Sequence, residues 1–460
     1  MSSAPNQIES KQVEEEGMKK IVIVVGGILI LAGLASPFIS GVIMERIVRD
    51  SFDNLNQRYA ESGHDVRAEI VRYDKGFDSS EIEWRIKSDS LKAVYDVDEI
   101  VLVDRAEHNL SGITTRTSLE KNKWYADLVN GRLGGKDPLH ITTTYKMTGG
   151  IETAAAIDAF TVQERQETVA VKPGRMAVAF DSEFRSFTSE GSWEGLEVAG
   201  KFALAGVSLK SDLAMISPYI WDGELHLAMQ DSKAKGESDA DKFELAGLKL
   251  DSVIDFDQKQ KMLSATAEYG ADSLTAGTQK IDNIFARFGV KGLDAGRYEE
   301  FMKLYTAAMR GLLTEMAAAK NDPQKMKEIA DRQMANMGFQ LVAAGEKLLT
   351  KGLEFQLTGL HLQVPEGEIK GDVVILLKKD MTFAQVFPMV NQPKLALDVL
   401  ELKSEISLPE KLVGDAPLLF SPVYPGMQTG LFVKNGDLIR HTAETKDGKL
   451  FLNEKEMLWQ

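Results

Sequence analysis

Residues 79–89 read SSEIEWRIKSD. On an extended chain Ile82, Trp84 and Ile86 fall on one side, and Glu81, Glu83, Arg85 and Lys87 on the other. That period of two is the signature of a strand with one face buried and one in water. The same alternation returns in Met176, Val178 and Phe180; in Val198, Phe202 and Leu204; in Leu225, Leu227 and Met229; in Leu353, Phe355 and Leu357; in Leu360, Leu362 and Val364; and in Leu400, Leu402, Ile406 and Leu408. Turn signals stand between these runs, among them Asp222-Gly223, Asn435-Gly436 and Asp447-Gly448, whose residues tolerate the positive φ that tight hairpins need. The spacing predicts an α+β chain that is predominantly antiparallel β, an elongated twisted meander. Its last piece, GLFVKNGDLIRHTAETKDGKLFLNEKEMLW, reads as three strands joined by two turns.

One stretch changes period. From Asp294 to Lys351 apolar residues recur at helical spacing, with Tyr298, Phe301, Tyr305, Met309, Leu312 and Met316 on one stripe. Asn321-Asp322-Pro323 supplies a stop and a fresh start with proline at the first helical position, and Gly352 suits the C-terminal end. A helical hairpin over 291–352 is therefore inserted between a β-rich region at 45–290 and a second one at 353–460. Shorter helical spacings occur at Glu120–Asn130 and near Thr382–Val390.

Upstream of the strands, residues 21–44 (IVIVVGGILILAGLASPFISGVIM) carry no charge. As a helix, 24 residues span about 36 Å, enough to cross a hydrocarbon layer of about 30 Å. Lys19 and Lys20 precede it, so the positive-inside rule keeps the N-terminus in the cytoplasm and puts everything after about residue 45 outside it. The segment 18–44 is expected to be a retained transmembrane anchor at a bacterial inner membrane, with the larger part of the chain in the periplasm. A signal peptide cut after Ala35 is the alternative, but apolar residues continue past that point through Ile39, Val42 and Met44. Residues 1–17 are polar without periodicity and read as a disordered cytoplasmic tail.

Composition narrows the chemistry. The chain of 460 residues is 43% hydrophobic, carries a net charge of −15 and has no cysteine. No thiolate nucleophile, zinc-thiolate site or iron–sulfur cluster can be built from it. The acidic balance and the lack of a basic stripe argue against nucleic acid. The six histidines, at 64, 108, 140, 226, 361 and 441, stand singly, so no metal is assigned. Tyr95-Asp96-Val97-Asp98-Glu99 lacks the glycine of a calcium loop and reads as the lead into a strand near Ile100. Gly131–Asp137 lacks the hydroxyl residue of a phosphate loop, and Ser232-Lys233-Ala234-Lys235 has no partner motif. No catalytic residue, metal ligand or cofactor site is predicted.

The stretch Tyr73-Asp74-Lys75-Gly76-Phe77-Asp78-Ser79-Ser80, following a Lys-Lys-led apolar segment, resembles the Tyr-x-x-Gly-x-x-Ser-Ser hairpin of the YdgA-like proteins, a bacterial family carried as a domain of unknown function. RYEEFMKLYTAAMRGLL at 297–313 and the closing Asn435–Leu438 and Asp447–Asn453 blocks are similar as well. The resemblance implies an inner-membrane-anchored periplasmic protein of Gram-negative bacteria, with no activity, cofactor or catalytic residue to carry over.

Two functional classes remain. The sequence favours a non-enzymatic envelope scaffold that binds protein partners or a second copy of itself. The alternative is a carrier for an apolar envelope ligand such as lipid, and a periplasmic enzyme is a distant third. A carrier would hold its ligand between sheet and hairpin, on a wall of Leu353, Phe355, Leu357, Leu360 and Leu362 faced by Met309, Leu312 and Met316. The deciding feature is whether the apolar stripes close into a core or leave an open trough.

Overall fold

The computed structural model describes residues 52–457, apart from 54, 58, 62–64, 77–78, 89–96, 110–111, 147–149, 165–166, 237, 239–240, 319–322 and 413–422. The predicted tail and anchor lie outside the described residues, and no described helix is long and apolar enough to cross a membrane. The chain divides into two compact units. The first takes in the chain as far as Tyr219 together with Tyr305–Met337, and the second takes Ile220–Leu304 and Gly338–Gln460.

The first unit is an antiparallel sheet. It comprises β1 (Arg67–Lys75), β2 (Ser79–Lys87), β3 (Glu99–Asn109), β4 (Gly112–Ser118), then α1 (Lys123–Arg132), β5 (Leu139–Lys146), β6 (Ile151–Ile157), β7 (Phe160–Glu164), β8 (Glu167–Val171), β9 (Gly174–Phe180), β10 (Ser186–Val198) and β11 (Phe202–Ser217). Each strand from β1 to β6 pairs with the next. The β7–β8 hairpin then forms an excursion, after which β9 returns to β6. Strand β10 runs beside β9 as far as Trp193 and beside β8 from Leu196.

The alternation in residues 79–89 emerges as expected. Ile82, Trp84 and Ile86 are buried, and their neighbours on β3, Ile100 and Leu102, continue the core, which α1 joins through Tyr125, Leu128 and Val129. Phe52 meets the Trp84 ring edge-on at 5.5 Å. On the other face Arg85 pairs with Glu69 and Glu99, and Arg72 with Glu81, an ion-pair lattice on solvated strands. Ahead of α1, the Asn122 side chain acts as a piece of strand: its oxygen accepts from Val101 N–H at 2.8 Å, and its amide donates to the carbonyls of Val101 and Leu119. Asn122→Ala leaves these groups unpaired in a buried place and is expected to lower stability by about 2 kcal/mol, read from urea unfolding.

Val198, Phe202 and Leu204, predicted as one stripe, belong to two strands. The chain reverses at Ala199–Lys201, and Val198 and Leu196 lie opposite Phe202 and Leu204 in the β10–β11 pair. The residues share a face because cross-strand partners do, not because they are alternate residues of one strand.

The second unit is also antiparallel. Its strands are β12 (Ile220–Ala234), β13 (Phe243–Asp257), β14 (Met262–Ala276), β15 (Gln279–Asp294), β16 (Glu354–Val364), β17 (Gly367–Leu377), β18 (Leu400–Pro409), β19 (Val433–Asn435), β20 (Leu438–Lys446), β21 (Lys449–Leu452) and β22 (Lys455–Glu456). Neighbours pair in sequence order from β12 to β18, and β18 passes to β20, which also pairs with β19 and β21. Helices α2 (Ala295–Ala318) and α3 (Pro323–Glu346) stand between β15 and β16, with Pro323 at the first helical position. The Asp294 side chain accepts from Arg297 N–H at 2.9 Å and caps α2. Gly352 does not end α3, which stops at Glu346. It sits instead at the entry to β16, where its N–H bonds the Leu377 carbonyl at 2.7 Å. Short helices α4 (Phe383–Asn391) and α5 (Val423–Gln428) complete the unit.

Candidate functional site

Strand partners in the second unit carry one row of side chains across the sheet. Leu225, Ser252, Ala267, Phe288, Leu357, Val373, Ser404 and Ala443 are each opposite the next, from β12 to β20. A parallel row runs Ile254, Ala265, Val290, Phe355, Ile375 and Leu402. Because cross-strand partners point to the same side, these rows define one apolar face. The opposite face carries ion pairs, His226 with Asp251 at 2.5 Å, Arg287 with Glu268 and His361 with Glu368, alongside an exposed Val253.

Strand β16 would break this face if it were regular. Its apolar residues are odd-numbered through Leu357 and even-numbered from Leu360, so an unbroken pleat would turn half of them over. A bulge prevents that. Between Leu357, opposite Val373, and Leu360, opposite Gly371, the strand uses one extra residue, and Gly359 takes φ +63°. Phe355, Leu357, Leu360, Leu362 and Val364 thereby all face one way. Gly359 N–H is held by the Asp372 carboxylate at 2.8 Å.

The ends of the apolar face are closed. Ile220, Leu263 and Ala295 form a small core joined by Phe256, Leu293 and Tyr298 of α2. At the other end Ile369, Leu408, Leu412, Val423 and Ile439 form a second core, which Leu362, Val364 and Ile406 complete. The stretch between them is open. Leu225, Leu227, Met229, Leu248, Leu250, Val290 and Leu357 are half-buried, and Tyr269, Phe288 and Phe355 are exposed by 43%, 49% and 41%. Tyr269 and Phe288 meet edge-on at 5.7 Å. On β14 the small Ala265 and Ala267 lie beside the taller Ile254 of β13 and Val290 and Phe288 of β15, and the Tyr269 ring stands on the same face between Ala267 and Ala271. The result is a shallow apolar depression at Ala265 and Ala267, bounded along β14 by Tyr269.

The predicted wall is thus partly re-sorted. Leu353 is 1% exposed and part of the packed interior, whereas Phe355, Leu357 and Leu360 lie on the open face and Leu362 belongs to the closed end. Met309 and Leu312 are half-buried in α2, in the stretch that belongs to the first unit, and the Met316 side chain lies outside the described residues. The structure does not assign these helical residues and the β16 residues to one unit. Sequence reading missed β13–β15 as contributors. Their signal was present in Leu248 and Leu250 alternating with Lys249 and Asp251, but the glycine, serine and alanine positions diluted it.

Polar chemistry is sparse. Among the described residues no group of three or more His, Asp or Glu could hold a metal ion. His140 meets Asp158 on the surface, and His226 is held above its usual pKa by its hydrogen bond to Asp251. His441 is buried, with Nδ1 against the Leu431 carbonyl at 2.9 Å and Nε2 against the Ser404 hydroxyl at 2.7 Å. Both ring nitrogens are satisfied within a packed interior, the arrangement of a structural histidine.

No curated protein and no solved structure matches the chain. A family model does, over residues 18–459, from the first residue of the predicted anchor to just past the last described strand. Since that match spans nearly the whole chain, the protein belongs to the family described as bacterial protein of unknown function (DUF945).

Proposed function

We propose that the protein is an anchored envelope protein that binds the hydrocarbon chain of a lipid on the open face of β12–β16. The observation that carries this reading is the exposure of Tyr269, Phe288 and Phe355 in the middle of an apolar sheet face whose two ends are packed. Contiguous apolar surface of this kind marks a ligand groove, a membrane contact or a protein interface. Protein interfaces carry about one hydrogen bond per 100–200 Å². Besides the Tyr269 phenol, the two rows across this face offer only the Ser252 and Ser404 hydroxyls, and Ser404 is already committed to His441. A surface with so few polar groups suits a hydrocarbon chain better than a folded partner.

The predicted anchor at 21–44, with Lys19 and Lys20 on its cytoplasmic side, would hold this face beside a bilayer, and the resemblance to YdgA-like proteins agrees with a periplasmic location. Reporter fusions after Asp50 test that topology, and cytoplasmic-type reporter activity there would reverse it. The scaffold reading, first from the sequence, shares the same surface and is separated by what the surface touches. A photo-crosslinking amino acid at Phe288, irradiated in native membranes, is expected to give acyl-chain adducts by mass spectrometry. Ala267→Asp, which puts a charge on the floor of the depression, is expected to lower their yield at least tenfold while circular dichroism is unchanged. Adducts of peptide alone would replace lipid with a protein partner or a second copy.

A further inference from the structure

The interior of the first unit contains a seam of polar side chains. On β3 the buried series Ile100, Leu102, Asp104 and Ala106 includes a carboxylate that is 3% exposed. Opposite it on β4 is Thr117, and from neighbouring Thr115 a row continues through Thr143, Thr153, Val178, Ser189 and Ser211 across β5, β6, β9, β10 and β11. All six hydroxyl residues are buried. Thr143 bonds Thr153 at 3.1 Å and Ser189 bonds Ser211 at 2.7 Å, while the Thr115 hydroxyl is buried with no partner.

Asp104 has two donors, Trp84 Nε1–H at 2.9 Å and the Thr117 hydroxyl at 2.6 Å. Among the described residues no cation reaches it. The charged residues of the surrounding strands, Glu81, Glu83 and Arg85 on β2, Arg105 and Glu107 on β3, Arg116 on β4 and His140 on β5, fall on the other side of the pleat. The titratable groups on this side are the phenols of Tyr145 on β5, Tyr125 on α1 and Tyr59 among the helical residues 52–61, all pushed upward by burial and so neutral, together with Tyr73 of β1, packed against the same core, and His108, which pairs with Ile113 four residues along β3 from Asp104. A buried carboxylate without a cation is costly as an anion, whereas the protonated acid can exchange hydrogen bonds with the rotatable Thr117 hydroxyl.

We propose that this seam is a proton-controlled clasp: β2–β5 are held most tightly when Asp104 is protonated and loosen locally when it gives the proton up. Burial raises the Asp104 pKa from 3.8 to about 6, against the opposing pull of Thr117 and Trp84. The folded state therefore binds the proton more tightly than the unfolded chain does. The stabilisation is complete below pH 4 and is lost as pH rises through 6. Two pKa units correspond to a change of up to about 100-fold in the opening equilibrium.

Native-state hydrogen exchange of the full chain tests this. After correction for intrinsic rates, amides of β2–β5 should be about 10- to 100-fold better protected at pH 4.5 than at pH 7.5, while Asp104→Asn should show less than about threefold difference and retain high protection. Equal pH ratios in the two proteins would overturn the proposal. A carboxyl carbon titration of the unmodified chain by NMR needs no variant. A midpoint between 5 and 7 is expected for Asp104, and one near 4 would refute the clasp even if Asp104→Asn failed to fold.

Discussion

Leu353→Ala is expected to destabilise the second unit by about 3–5 kcal/mol, whereas Phe355→Ala, two residues along the same chain, costs about 1 kcal/mol. Both were predicted as one wall. Leu353 is 1% exposed, and its carbonyl accepts from Leu377 N–H at 2.8 Å where β16 begins, so truncation leaves a void that fixed backbone cannot close. Phe355 has lost far less water contact and has less to forfeit. Urea-dependent exchange of β16 amides measures both. A loss of 3 kcal/mol or more for Phe355→Ala would mean that its ring is packed as core, and the open-face reading would fail with it.

Gly195→Ala is expected to unfold the first unit, with a penalty of at least about 4 kcal/mol. Gly195 marks the point where β10 leaves β9 and takes up β8, with Glu194 N–H bonding the Pro173 carbonyl and Lys172 N–H bonding the Gly195 carbonyl, each at 2.9 Å. Its φ of +123° is closed to residues with a side chain, and a Cβ there would stand 1.8 Å from the Leu204 carbonyl oxygen. Gly200 is the control. It also has positive φ, but nothing lies within 4 Å of a Cβ, so Gly200→Ala should cost about 1 kcal/mol. Thermal unfolding by circular dichroism distinguishes them, and similar melting temperatures for the two variants would contradict the steric account.

The antiparallel meander was legible because water-facing and core-facing residues alternate in most strands, and Asn435-Gly436 and Asp447-Gly448 marked turns that the structure contains, whereas Asp222-Gly223 falls inside β12 and the turn stands at Pro218-Tyr219 instead. The helical hairpin was legible for the same reason at a different period. What escaped was non-local. Nothing in the spacing of Leu357 and Leu360 says that Gly359 absorbs the change of parity, because a bulge is defined by its partner strand. Asp104 escaped differently. Read along β3, an acid on the Ile100, Leu102 and Ala106 stripe contradicts the pattern, and that contradiction was itself the available signal. The seam of Thr115, Thr143 and Thr153 was hidden because threonine fits either face of a strand. The open apolar face depended on how fully the stripes are covered, a property of packing and not of periodicity.

The pairing order bears on how the chain acquires its structure. Most strands hydrogen-bond the strand that precedes them in sequence, so each can dock on a finished edge as soon as it is made, with little loop entropy to overcome. Growth from the N-terminus should proceed like the laying of planks. The longest interruption is at β15, whose second neighbour β16 arrives only after α2 and α3 have been synthesised. Until residues 354–364 appear, the Gln279–Asp294 edge stands unpaired. During biogenesis that edge, rather than any surface of the finished protein, is where wrong strand pairing would begin and where a holding chaperone would be of most use.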